Sequence, residues 1–163
     1  MSTTALRHLR RALASGIALT FSCQSIAQEF CDSVHRLDAA APGEFASIIS
    51  LKTESSDDYE EYELRREFIL AGVRSRSDCK VAVLKVDGVS EGEVECDIRL
   101  PDFNNARTQN ESRRVAEALA KCLAPTSLSL GNAIHRFSTR SARWEVVVPA
   151  SANHINVRII PKR

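Results

Sequence analysis

The sequence predicts one α+β domain: two helices packed on one face of an antiparallel sheet, in the order α-β-β-β-α-β-β, with two disulfides. Three observations carry this. The stretch Cys79–Cys96 (CKVAVLKVDGVSEGEVEC) alternates like a β-hairpin around a central Asp-Gly and has a cysteine at each foot. A segment of helical period lies on either side, and each holds one further cysteine, Cys31 and Cys122. The chain closes with two β-branched runs separated by proline and small polar residues. Two helices against one antiparallel sheet cover its apolar face.

Residues 1–27 stand apart. Met1–Arg11 is basic through Arg7, Arg10 and Arg11, Ala12–Cys23 is apolar, and Ser25-Ile26-Ala27 offers small residues where a signal peptidase reads. That order is the one of a cleavable secretory signal. The apolar run of 12 residues is too short to span about 30 Å of hydrocarbon. Cleavage near Ala27 leaves a mature domain of residues 28–163 in the periplasm or outside the cell. A second reading makes Cys23 the acylated N-terminus of an envelope lipoprotein, against a poor match in Leu19-Thr20-Phe21-Ser22. After removal of 1–27 four cysteines remain, and an even number in an exported chain implies disulfides.

From Cys31, the residues Val34, Leu37, Ala41, Phe45 and Ile48 recur at helical spacing, interrupted by Pro42-Gly43. A helix to about Ala41 is expected, then a kink or short second helix through Ser50. Thr53–Glu61 (TESSDDYEE) reads as a solvated acidic loop, without the Asp-x-Asp-x-Asp-Gly spacing of a calcium loop. Tyr62–Val73 reads as a strand and Gly72–Asp78 as a turn.

A two-residue turn at Asp87-Gly88 makes paired residue numbers add to 175, which aligns Cys79 with Cys96 and Val81 with Val94. Counting pairs outward from the turn makes Cys79/Cys96 a non-hydrogen-bonded pair, with Cα atoms about 4.5 Å apart, within disulfide reach. The rival turn, Glu91-Gly92, separates the cysteines. Val94, Cys96, Ile98 and Leu100 then face inward and Glu93, Glu95, Asp97 and Arg99 outward.

Pro101–Arg107 reads as a loop, and Thr108 to Glu111 has capping-box spacing. A helix follows with Val115, Ala118, Leu119, Cys122 and Leu123 on one face, ended by Pro125. If Cys79 pairs with Cys96, Cys31–Cys122 ties the two helices, a closure that stabilises by about 4 kcal/mol in the chain-entropy picture. Residues 126–143 are ambiguous. Trp144–Val148 and His154–Ile160 are strands joined by a turn at Pro149–Asn153.

Charge is unevenly spread. Residues 28–98 hold 17 acids and 8 bases, whereas 99–163 hold 4 acids and 11 bases. The two halves either neutralise each other on folding or present an acidic and a basic face to different partners. The basic segment, with Arg136, Arg140, Arg143 and Trp144, interleaves cations with aromatics, as a partner-binding surface does.

No catalytic constellation, cofactor fingerprint or metal-ligand spacing appears. There is no C-x-x-C, G-x-S-x-G, P-loop or dinucleotide motif. Each mature cysteine has a disulfide to make, and the histidines His35, His135 and His154 lie far apart. Export and a mildly acidic mature chain argue against nucleic acid.

Cys31, Val34, Leu37, Phe45 and Ile48, then Cys79, Val81, Val94 and Cys96, then Val115, Ala118, Cys122 and Leu123 form a packing-and-disulfide framework. It resembles that of small exported four-cysteine bacterial proteins of unassigned function, and the resemblance implies fold and export but no activity. The element order is also similar to the two-helix, five-strand domain of type III secretion chaperones, which are cytoplasmic and lack disulfides. The sequence therefore points to an exported, non-enzymatic binding or interaction protein of inhibitor, immunity or accessory-chaperone type, meeting a protein or other envelope component. The alternatives are a small hydrolase using an acid/His site at His135 or His154, and the lipoprotein acylated at Cys23.

Overall fold

The computed structural model describes residues 27–65, 77–100, 105–149 and 153–163. Residues 1–26 of the expected leader, Cys23 among them, lie outside the described residues. So do most of the strand and turn expected beyond Arg65, and parts of the loops after Leu100 and Pro149.

Helix α1 covers residues 27–40, and a 3-10 turn at Ala41–Gly43 follows. Strands β1 (Ile49–Ser55), β2 (Tyr59–Leu64), β3 (Ser77–Val86) and β4 (Val89–Arg99) come next, then helix α2 (Asn105–Leu123). Strands β5 (Ser127–Leu130), β6 (Ile134–Ser138), β7 (Ala142–Val147) and β8 (His154–Pro161) complete the chain. The eight strands among the described residues form one antiparallel sheet in the order β1-β2-β3-β4-β8-β7-β6-β5. The class is α+β with two disulfides, and the sheet is larger than the five strands expected.

The extra strands have identifiable causes. The segment expected as an acidic loop is a hairpin, β1–β2, because its acids find lysines on neighbouring strands. Glu60 binds Lys52 at 2.7 Å and Lys85 at 2.9 Å, and Glu61 binds Lys80 at 2.7 Å. Those contacts satisfy carboxylates that would otherwise have to stay solvated. Residues 126–143 resolve into β5, β6 and the start of β7. Gly131 permits the β5–β6 turn, since a Cβ there would lie 2.6 Å from the Ile134 carbonyl oxygen. Helix α2 starts at Asn105, before the expected cap at Thr108, because Ala106 and Arg107 are good helix formers and no breaker separates them from it. Ala124 ends it with φ 43, and its N–H donates to Ala120 O at 3.0 Å.

The β3–β4 hairpin adopts the 175 register. Val86 pairs Val89, Val81 pairs Val94 and Cys79 pairs Cys96. Asp87 and Gly88 have φ 52 and 78, the two left-handed residues of a type I′ turn, which matches the right-handed twist of the strands. The Cys79–Cys96 bridge joins Cα atoms 4.0 Å apart, and Cys31–Cys122 joins α1 to α2 with Cα atoms 5.1 Å apart.

Cross-strand register puts the buried side chains on one face. Val94, Cys96 and Ile98 of β4 lie opposite Ile159, Val157 and Ile155 of β8, which lie beside Trp144 and Val146 of β7. This face forms one core cluster with Val34 and Leu37 of α1, Phe45 of the following loop, and Val115 and Leu119 of α2. Among the described residues no helix is long and apolar enough to cross a membrane.

Candidate functional site

The four cysteines among the described residues are consumed by disulfides, so none of these offers a thiolate. The histidines stay apart. His35 is exposed on α1. His154 opens β8 with Nε2 3.9 Å from Asp97, whose carboxylate also accepts a hydrogen bond from Asn156 at 3.0 Å. His135 is fully buried on β6, where Nε2 lies 3.1 Å from the buried Ser112 hydroxyl of α2.

This Ser112–His135 contact escaped the sequence reading, because residues 23 positions apart on different element types carry no spacing signal. It is not arranged as a nucleophile and base. Ser112 Oγ also lies 2.8 Å from Gln109 O, and with its one proton given to that carbonyl the hydroxyl accepts from Nε2 in the tautomer protonated there. A general base needs its lone pair there instead. Nδ1 has no hydrogen-bond partner among the described residues, so no carboxylate orients the ring. Burial, then the nearby Arg113, lowers the His135 pKa from its ordinary value, against a smaller opposing effect of Glu117. The ring is a neutral core group tying α2 to β6.

Trp144 also leaves the candidate surface. It alternates with Ala142 and Val146, so the pleat turns it into the core, where it is fully buried. It stacks on Phe137 with ring centroids 5.8 Å apart, and its indole N–H donates to Asp38 of α1 at 2.9 Å. The same Asp38 oxygen accepts from Thr139 at 2.7 Å. The Thr139 hydroxyl oxygen in turn accepts from the N–H groups of Ser141 (3.1 Å) and Ala142 (3.0 Å), which fixes the β6–β7 turn. Trp144 is a structural anchor, and the arginines beside it in sequence face the other way.

Those arginines lie on the sheet face opposite the core cluster. Arg136 pairs Glu145 in register, and Glu145 pairs Arg158. Glu145 lies 3.1 Å from Arg136, 3.7 Å from Arg143 and 3.8 Å from Arg158, one carboxylate shared by three guanidinium groups. Arg140 is exposed on the turn between β6 and β7.

On the other side of the β4–β8 seam the same face is acidic. Glu93 binds Arg158 at 2.7 Å and Glu95 lies 3.7 Å from it. Burial, then the charge of Glu93, raises the Glu95 pKa above its ordinary value. Farther out, Glu61 is held below the ordinary carboxylate range, chiefly by Lys80. Glu60, turned to the core side of the sheet beyond the cluster, is held at about 2 by its bonds to Lys52, Tyr62 and Lys85. The halves of the chain thus neutralise each other along the seam, where Arg163 also meets Glu91 at 2.9 Å. Among the described residues a surplus of opposite sign remains at each end.

A cleft of about 590 Å³ opens where these regions meet. Leu84, Ile160 and Pro42 line it with Glu44, Glu93 and Arg143. Gly92 is required at its wall, because a Cβ there would lie 2.9 Å from the Glu44 carbonyl oxygen. Among the described residues no group of three or more His, Cys, Asp or Glu is placed to hold a metal ion. No protein-family model, no curated protein and no solved structure matches the chain.

Proposed function

We propose that this chain is an exported, non-enzymatic binding protein. It meets an anionic surface of an envelope or secreted protein with the helix-free face of its sheet, at the basic end formed by Arg136, Arg140 and Arg143. The carrying observation is that the exposed Arg136 and Arg143 have one carboxylate, Glu145, between them, while Arg158 is taken up mainly by Glu93, so positive charge stays uncompensated on the β6–β7 strand pair. Charge held on a preformed surface steers encounter and fixes register at little ordering cost. The basic leader order of residues 1–27 and the two disulfides support export through signal cleavage near Ala27.

The experiment is capture from envelope extract by purified wild-type chain and by an Arg136→Glu/Arg140→Glu/Arg143→Glu variant. Wild type takes up a partner saturably and the variant loses it. Absence of a saturable partner, or equal capture by the two baits, refutes the basic end as the binding surface. Fractionation of Cys23→Ser tests the compartment in parallel: unchanged soluble recovery agrees with a cleaved signal, and release from a membrane fraction assigns the lipoprotein instead.

A further inference from the structure

The two edges of the sheet are built differently. Strand β1 carries Lys52 and Glu54, and its pairing slips between Ile49 and Lys52 and again between Lys52 and Glu54. Charges and bulges keep an edge from pairing with another strand. Strand β5 has neither. Its sequence is Ser-Leu-Ser-Leu, its register with β6 is unbroken, and all four residues are exposed, Leu128 at 49% and Leu130 at 39%. Among the described residues no strand pairs its outer side.

The phase of its hydrogen bonds follows from the turn. The Gly131 N–H donates to Ile134 O at 3.2 Å, which makes that pair hydrogen-bonded. Bonded pairs alternate from there, so Ser129 bonds to Arg136 while Leu128 and Leu130 direct N–H and C=O outward. The strand is symmetric about Ser129. A second copy related by a twofold axis through Ser129 sets Leu128 opposite Leu130 of that copy, and the reverse. The four leucines meet on the helix side, and Ser127 falls opposite Gly131, which has no side chain to accommodate.

We infer that β5 is a self-association edge, at which two copies of this chain join antiparallel into one continuous sheet. The seam borders the basic end, since Ser129 pairs Arg136 in register, and the twofold sets the two basic ends side by side on one outer face.

Ser129→Cys tests it directly, since the native cysteines are bridged and the new thiol stands alone in the mature chain. In the twofold pair the two Ser129 Cα atoms are about 4.5 Å apart, a non-hydrogen-bonded pair, and within disulfide reach. Positions 127 of the two copies lie about 14 Å apart along the strands. Mild oxidation should therefore give a covalent dimer of Ser129→Cys and none of Ser127→Cys. Sedimentation of wild type should show mass doubling with concentration, lost in Leu130→Lys with circular dichroism unchanged. A single-chain mass at every concentration, or equal cross-linking at 127 and 129, overturns the inference. So does a wild-type monomer whose Leu130 is needed to capture another protein, which assigns the edge to a partner's strand.

Discussion

Two hairpins of this sheet reach the same geometry by different means. The β3–β4 hairpin is specified within its own length: an Asp-Gly turn, a matched valine pair and a disulfide between residues 17 apart. The β6–β7 hairpin has no disulfide, only the Phe137–Trp144 stack and the turn bonds of Thr139 within its own length. Its turn is organised by Thr139, and both Thr139 and Trp144 depend on Asp38, which is 101 and 106 residues away. The first is held by contacts within its own length, whereas the second also leans on α1 through Asp38. The outward arginines Arg136 and Arg143 therefore sit on an element whose position is set from the opposite side of the sheet.

The comparison breaks most visibly at Trp144. Trp144→Ala removes a fully buried ring stacked on Phe137 and should cost about 3–5 kcal/mol, read by chemical denaturation. The disulfides come next. Replacing Cys31 and Cys122 opens a 91-residue separation and should cost about 4 kcal/mol, against about 3 kcal/mol for the 17-residue Cys79–Cys96 loop. Equal losses, or a larger loss for the short loop, would contradict that order.

Asp38→Ala leaves the buried Trp144 indole N–H without its acceptor, turns the Thr139 hydroxyl back to its longer contact with Ala142 O, and should cost about 2 kcal/mol. Hydrogen exchange should quicken in β6–β7 and stay unchanged in β3–β4. Uniform acceleration would mean that the second hairpin is held no differently from the first.

The smallest effect is a pH slope. The pKa of His135 is lowered in the folded chain from 6.5, so the unfolded chain takes up the proton first. Stability is flat above about pH 6.5 and falls as pH drops from there toward the folded value. His135→Gln should flatten that slope. Glu95, whose pKa is raised, contributes with the opposite sign, gaining stability as pH falls through its folded value. The difference between wild type and His135→Gln isolates the histidine.

How much of this was legible follows from how far each instruction travels along the chain. The β3–β4 register was readable because the turn, valines and cysteines lie within one short segment. The pairing of Cys31 with Cys122 then followed by elimination. The β1–β2 hairpin was hidden because its acids look unpartnered until Lys80 and Lys85 arrive from the next strand. Strands β5 and β6 are short, and Ser127 to Leu130 lacks the β-branched residues that mark a strand. Trp144 carried a usable signal that the basic neighbours obscured: its alternation with Ala142 and Val146 places it in the core. The neutralisation of the two charged halves required the β4–β8 pairing, which composition does not contain.

The most direct test of the account uses the captured partner, purified, in saturation binding to wild type, to Arg136→Glu/Arg140→Glu/Arg143→Glu and to Glu61→Lys/Glu63→Lys at low and physiological ionic strength. The basic end of the outer face predicts binding that weakens with salt, is lost in the arginine variant and survives in the acid-end variant. Salt-independent binding, or loss in the acid-end variant with the arginine variant intact, would contradict it.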